Sequence, residues 1–171
     1  MNREPQKPTV GIVMGSDSDL PIMEETAKVL ARFGIAYELR ICSAHRSPGR
    51  AIEYAQTAES RGLKVIIAGA GGAAHLAGIL AAETVLPVIG VPIDSSPLHG
   101  FDALLSTAQM PGGVPVATMA VGKAGAKNAG VLAAEILAIS DPKLNGQLKE
   151  FKLAMAKEVE AKDAGINTPH R

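Results

Sequence analysis

Three short clusters in this chain carry residue types that do chemistry. The most informative is Ser43-Ala44-His45-Arg46. A histidine, with an ordinary pKa of about 6.5, is the default proton-transfer residue, and here it stands beside a fixed cation. Arginine's planar fork is suited to phosphate or carboxylate. The second cluster is Gly15-Ser16-Asp17-Ser18-Asp19, which offers hydroxyls and carboxylates between an apolar run and Pro21. Such a strand, small-residue loop and helix start can hold an anion, because free N–H groups and the helix dipole point at one spot. Asp17 and Asp19 would repel a phosphate lying directly against them, so one of them is expected to take a sugar hydroxyl. Helix capping alone is the alternative use of these residues.

The third cluster is Gly69-Ala70-Gly71-Gly72-Ala73-Ala74-His75. It fits the dinucleotide pattern G-x-G-x-x-G/A, which also wants an acidic residue about 20 positions on, at the tip of the next strand. Asp94 lies near that distance but beyond the strand, after Pro92. The pattern also sits on the third strand, whereas the fingerprint normally occupies the first unit. The other use of these glycines is to let backbone approach a flat ring or small planar molecule closely. His75, at a helix start whose dipole disfavours the charged ring, is expected neutral, and either lines the same site or is a satisfied buried histidine.

The elements that position these clusters follow from periodicity. Val10–Met14, Tyr37–Ile41, Lys64–Ala68, Val88–Val91 and Val116–Val121 read as strands. Helical spacing covers Pro21–Phe33, Pro48–Arg61, Ala73–Thr84, Phe101–Met110 and a stretch running to Ile139. Five strands alternating with helices specify a three-layer α/β fold, with a doubly wound parallel sheet joined by right-handed crossovers. All three clusters lie at C-terminal strand ends, where ligands bind in such sheets. Pro92–Gly100, with Asp94 and His99, reads as a solvated connection, with a cover over the site as the alternative. Lys123 after the fifth strand invites a phospho-acceptor reading, which fails because Ala68-Gly69-Ala70 stands where the acceptor aspartate belongs.

The last helix, 142–163, differs from the others. Leu144, Leu148, Phe151, Met155 and Val159 make a narrow apolar stripe on a charged helix. The doubly wound core is complete by Ile139, so the stripe is expected to pack on a neighbouring subunit, or else on its own domain's flank. With the small-residue-rich helix before Thr84, it points to a homo-oligomer.

Composition bounds the rest. At 171 residues the chain is expected to be a single domain, 1–171, preceded by a flexible start at 1–8. Lysine and arginine total 17 and acidic residues total 17, which leaves no electrostatic footprint for nucleic acid. Aromatics are scarce, with no Trp, which argues against base-stacking platforms. One cysteine, Cys42, is read as core and excludes an internal disulfide. No Cys/His cluster has structural zinc spacing, no signal peptide is apparent, and no run of about 18 apolar residues suggests a membrane span. The expected compartment is the cytoplasm. His170, in the tail, is read as inert.

With its motifs in hand, the sequence closely resembles the PurE family, the 5-(carboxyamino)imidazole ribonucleotide mutases of purine biosynthesis. The likeness rests on the three clusters and extends through Gly90-Val91-Pro92, Gln109-Met110-Pro111-Gly112-Gly113-Val114-Pro115-Val116 and Ala126-Lys127-Asn128-Ala129. Ala77 stands where the family usually has proline. The resemblance implies a flavodoxin-like sheet of order 2-1-3-4-5 and a homo-octamer with sites near subunit boundaries. It implies a nucleotide substrate and no metal, ATP or organic cofactor. Ser18, Ser43 and Arg46 would hold the phosphate, while Ser16 and Asp19 would also contact the nucleotide, Asp19 through ribose hydroxyls. His45 would shuttle the proton, and Ala70, Gly71 and His75 would line the pocket for the base and migrating carboxyl group. The alternatives are a carboxylase using free CO2 and a non-catalytic nucleotide-binding domain.

Overall fold

Val10–Met14 (β1) is buried along its whole length, and the rest of the chain is arranged about it. The computed structural model describes residues 7–166, so the expected flexible start lies largely outside the described residues, as does His170. Four further strands follow: Tyr37–Ile41 (β2), Val65–Gly71 (β3), Val88–Ile93 (β4) and Ala117–Thr118 (β5). They form one parallel sheet in the order β2-β1-β3-β4-β5, as the resemblance implied.

The helices are Leu20–Arg32 (α1), Pro48–Ala58 (α2), Leu76–Ala82 (α3), Phe101–Ala108 (α4), Gly122–Ala138 (α5) and Pro142–Ile166 (α6). A buried strand presents alternate residues to opposite faces. Val10, Ile12 and Met14 therefore meet Met23, Ala27 and Leu30 of α1 and the alanines of α5. Val13 points the other way, into a second core with Ala51 and Ala55 of α2 and Leu76 and Leu80 of α3. Helices α1 and α5 are tied by the buried Thr26 hydroxyl, which donates to the Ala126 carbonyl at 2.7 Å.

Three sequence expectations need correcting. The strand expected at Val116–Val121 pairs with β4 only at Ala117 and Thr118. It follows Pro115, which has no N–H to give a ladder, and the chain turns away to start α5. Because β5 is so short, Pro92 sits in β4 beyond the last β5 partner, so its missing N–H costs no ladder bond there. The third helix begins at Leu76, not Ala73, because Gly72 and Ala74 adopt left-handed φ values of 59° and 42°. Finally, β3 continues through Gly71, paired Ala70 to Pro92 and Gly71 to Ile93. The first two glycines of the apparent dinucleotide pattern thus belong to a strand.

The stripe on α6 divides. Leu144 and Leu148 are buried against Phe33, Ala134 and Ala138 of their own domain, so this half packs on the domain's flank. Phe151 is half-buried, edge-on to Phe33 at 5.6 Å between centroids. Met155 and Val159 are exposed.

Candidate active site

The turns that follow β1, β2, β3 and β4 meet at one rim of the sheet, around a cleft of about 330 Å³. Every residue singled out for the site lines it: Ser16, Ser18, Asp19, Ser43, His45, Arg46, Ala70, Gly71 and His75. Asp17 sits beside them, exposed.

The turn after β1 is a reciprocal capping box. The Ser16 N–H donates to Asp19 Oδ2 at 3.1 Å, and the Ser18 N–H donates to Ser16 Oγ at 3.4 Å. The Ser16 hydroxyl in turn donates to Asp17 Oδ1 at 2.9 Å. The capping use of these residues is therefore real, and it fixes the loop that faces the cleft. Burial holds the Asp19 carboxyl above its ordinary value, against hydrogen bonds from the Ser16 and Gly15 backbone that pull it down. The Ser16 hydroxyl bond keeps the exposed Asp17 carboxyl below the usual range.

The turn after β2 is held by Ser43, whose Oγ accepts the Arg46 N–H at 3.1 Å and Arg46 Nε at 3.4 Å. Arg46 then reaches across and donates from Nη2 to the Gly15 carbonyl at 3.1 Å. The guanidinium is thus aimed along the mouth of the cleft with donors to spare. Cys42, just before this turn, is buried in the core, and burial pushes its thiol up despite the nearby Arg50.

His45 and His75 face each other. His45 Nε2 lies 2.7 Å from His75 Nδ1, with the rings edge to face and centroids 4.9 Å apart. A contact this short requires one nitrogen to carry the proton and the other to offer its lone pair. The two rings are therefore joined by one hydrogen bond at the cleft. Both rings belong to solvent-reaching residues, so His75 is not the satisfied buried histidine weighed from sequence.

The floor is made of Ala70, Gly71, Ala74 and Leu76, which bring no reactive side chains. Gly71 lies close under Ser95: a Cβ there would stand 1.8 Å from Ser95 Oγ, so a side chain at this position requires Ser95 to swing away. The turn is braced from outside by the Ser106 hydroxyl, which donates to the Ala73 carbonyl. Ser95 is the residue sequence reasoning missed. It belongs to the loop after β4, for which a solvated connection is the main sequence reading and a cover over the site the alternative, and it lines the cleft. The signal was available, since that loop also leaves a strand at its C-terminal end.

Among the described residues no group of three or more His, Cys, Asp or Glu is placed to hold a metal ion, and no helix is long and apolar enough to cross a membrane.

The sequence pattern of one protein family, AIR carboxylase, matches residues 9–158. The chain belongs to the AIR carboxylase family. It is 59% identical over 157 residues to the N5-carboxyaminoimidazole ribonucleotide mutase of Pyrococcus horikoshii, a match spanning 92% of this chain and 88% of that protein. It is 60% identical over 152 residues to the mutase of the same name from Thermotoga maritima, covering 89% of this chain and 88% of the relative. Among solved structures, the crystal structure of Treponema denticola PurE superposes with a TM-score of 0.85 at 29% identity, over 94% of this chain and 99% of that one. The family likeness read from the three clusters is thus established over most of the chain. The chain is an enzyme of the mutase (isomerase) type.

Proposed function

We propose that this enzyme converts 5-carboxyamino-1-(5-phosphoribosyl)imidazole into 5-amino-1-(5-phosphoribosyl)imidazole-4-carboxylate, with His45 as general acid and then general base. The observation that supports the role of His45 is its ring nitrogen held 2.7 Å from His75 at a cleft whose floor carries no competing nucleophile. The name shared by the relatives supplies the substrate class.

The chemistry asks for what this cleft offers. The imidazolium of His45 gives its proton to the exocyclic nitrogen as the nitrogen–carboxyl bond breaks. The bonding pair stays on nitrogen, and CO2 departs. The ring carbon then attacks CO2 with its enamine electron pair, and the proton on that carbon passes to the now neutral His45. No net proton is consumed, and one side chain serves both steps. Between them CO2 must neither escape nor be hydrated, which the Ala/Gly floor favours by excluding water.

Substrate positioning divides along the cleft. Ser18, Ser43 and Arg46 hold the phosphate at the β1 and β2 turns. Ser16 and Asp19 meet the sugar, and Ala70, Gly71 and His75 surround the base. This layout places an anchored sugar-phosphate with its base beneath the histidine pair, and fixed geometry of this kind lowers the barrier by orientation. The reading also carries a cytoplasmic homo-octamer, in which the exposed Met155 and Val159 of α6 would be covered by a neighbouring copy.

The test is His45→Asn. Calorimetry with the product nucleotide should show affinity within a few-fold of wild type, while turnover of the carbamate falls by at least about 10²-fold. Near-wild-type turnover would remove His45 from the mechanism. Supplying aminoimidazole ribonucleotide with bicarbonate in place of the carbamate distinguishes a carboxylase; product from that mixture alone, and none from the carbamate, would replace the mutase reading.

A further inference from the structure

Resting on the mutase reading, we propose that the Ser95 hydroxyl is the donor that holds the migrating carboxyl group at the end of the cleft away from the phosphate. The sheet order sets this layout. The anchoring turns follow β2 and β1, while Ser95 follows β4, on the far side of the β3 turn. Of the side chains lining the β3 and β4 end, Ala70, Gly71, Ala74 and Leu76 offer no donor, and His75 gives one ring nitrogen to His45 and keeps the other. Ser95 is the hydroxyl at this end. Its hydroxyl makes no hydrogen bond to any described residue, and it lies directly over the Gly71 Cα, where even a methyl group would collide with it.

The loop that presents Ser95 is built rather than loose. Ser96 Oγ accepts the Leu98 N–H at 3.2 Å, and the Ser96 carbonyl accepts the His99 N–H at 3.0 Å. The Phe101 N–H donates to the Leu98 carbonyl at 3.0 Å, and the Ser96 hydroxyl keeps the Asp102 carboxyl below its usual range. His99 accepts a left-handed φ of 51° to complete this turn. The exposed Ser95 hydroxyl thus stands on a hydrogen-bonded loop at the cleft, where a bound group can accept from it.

Its chemical type suits the reaction. The migrating group is a carboxylate at the start and the end, and neutral CO2 between. An arginine or lysine in this place would bind the carboxylate far more strongly than CO2 and so deepen the ground state. A neutral hydroxyl favours the carboxylate over CO2 by much less than a cation would, and so holds the group beside the ring carbon without so deep a ground state. Ser95 is therefore assigned as a residue that touches the transferred group, distinct from the phosphate anchors and from the proton carrier.

The test compares wild type and Ser95→Ala, a substitution that removes no hydrogen bond from the fold. Affinities are measured by calorimetry for the carboxylated product nucleotide and for aminoimidazole ribonucleotide, which lacks the carboxyl group. A lost hydrogen bond to a charged group corresponds to about a tenfold change. The carboxylated nucleotide should bind about tenfold more weakly to the variant, with the other unchanged within about twofold. Labelled CO2 released to solvent during turnover of the carbamate should rise. Equal weakening of both nucleotides, or no change in either affinity or in release, would overturn the assignment. Failure of the wild-type enzyme to isomerise the carbamate would instead overturn the mutase reading, and the affinity difference would still report on Ser95.

Discussion

Arg46 donates to the Gly15 carbonyl at 3.1 Å, joining two turns that are 31 residues apart in sequence. The bond uses one of the five N–H donors on the guanidinium. It sets the orientation of the fork at the cleft mouth, and the neighbouring Ser43 Oγ fixes it from the other side.

Replacing Arg46 by lysine keeps the charge and loses the fork. Arg46→Lys should weaken binding of the phosphorylated product by about 10- to 100-fold, the range for lost hydrogen bonds to a charged group. Binding of the corresponding nucleoside, without phosphate, should change little. Calorimetry with both ligands checks this; equal losses would place Arg46 at the base or sugar instead.

Asp19 gives a prediction with pH. Burial raises its folded-state value, so the folded protein holds this proton more tightly than the unfolded chain does. The stabilisation from Asp19 is then present at acid pH and is lost as pH rises through that raised value. Asp19→Asn removes the titration. Whatever its cost at about pH 4, the variant should gain on wild type between about pH 4 and about pH 7. Urea unfolding at the two pH values checks the sign; a variant that falls further behind at the higher pH contradicts it.

Glu38 behaves in the opposite sense. Burial alone would raise its carboxyl, but the hydrogen bond and charge of Arg61, with Arg40 on the other oxygen, outweigh it and hold the value low. Arg61 also lies over the Tyr54 ring, 4.5 Å from its centroid. The stabilisation from Glu38 is present above the ordinary carboxylate value and lost as pH falls through the depressed one. Glu38→Gln should therefore be more destabilising at about pH 7 than at about pH 3, as read from paired denaturation curves.

The divided stripe on α6 predicts unequal losses. Phe151 packs edge-on to Phe33 and carries the Arg32 guanidinium 4.6 Å from its centroid. For this half-buried ring, Phe151→Ala should cost about 1–3 kcal/mol, below the range for a fully buried phenylalanine. Val159, which is 66% exposed, contributes little to the fold of its own chain. Val159→Ala should leave chemical stability within about 0.5 kcal/mol when measured on dissociated chains. A shift in oligomer mass by light scattering with the same variant would show that the exposed end is an assembly surface.

Much of this was readable from residue order because the signals were local. Val10–Met14 and Val88–Val91 are apolar runs too short for helices, and both are strands buried on two faces. The site residues were readable as a group, since each cluster ends a strand and parallel strands put those ends on one rim. What escaped depends on backbone geometry set by neighbours. The left-handed φ of Ala74 delays α3, and alanine gives no warning of such a value. The shortness of β5 reflects where the chain must turn to start α5. The strand character of Gly69–Gly71 comes from pairing with β4, which overrides glycine's low strand preference. Ser95 was passed over because the chemistry-bearing residues that drew notice in its loop were Asp94 and His99, and serines between two prolines carry no motif.

The Thr26–Ala126 bond spans 100 residues of chain. A ribosome would release α1 long before the helix that covers it. Until α5 emerges, Met23, Ala27 and Leu30 have no complete partner surface, so the earliest helix made is among the last to be sheltered. Nascent-chain aggregation, and the demand for chaperone protection, should therefore be concentrated in the interval before residue 126 leaves the exit tunnel.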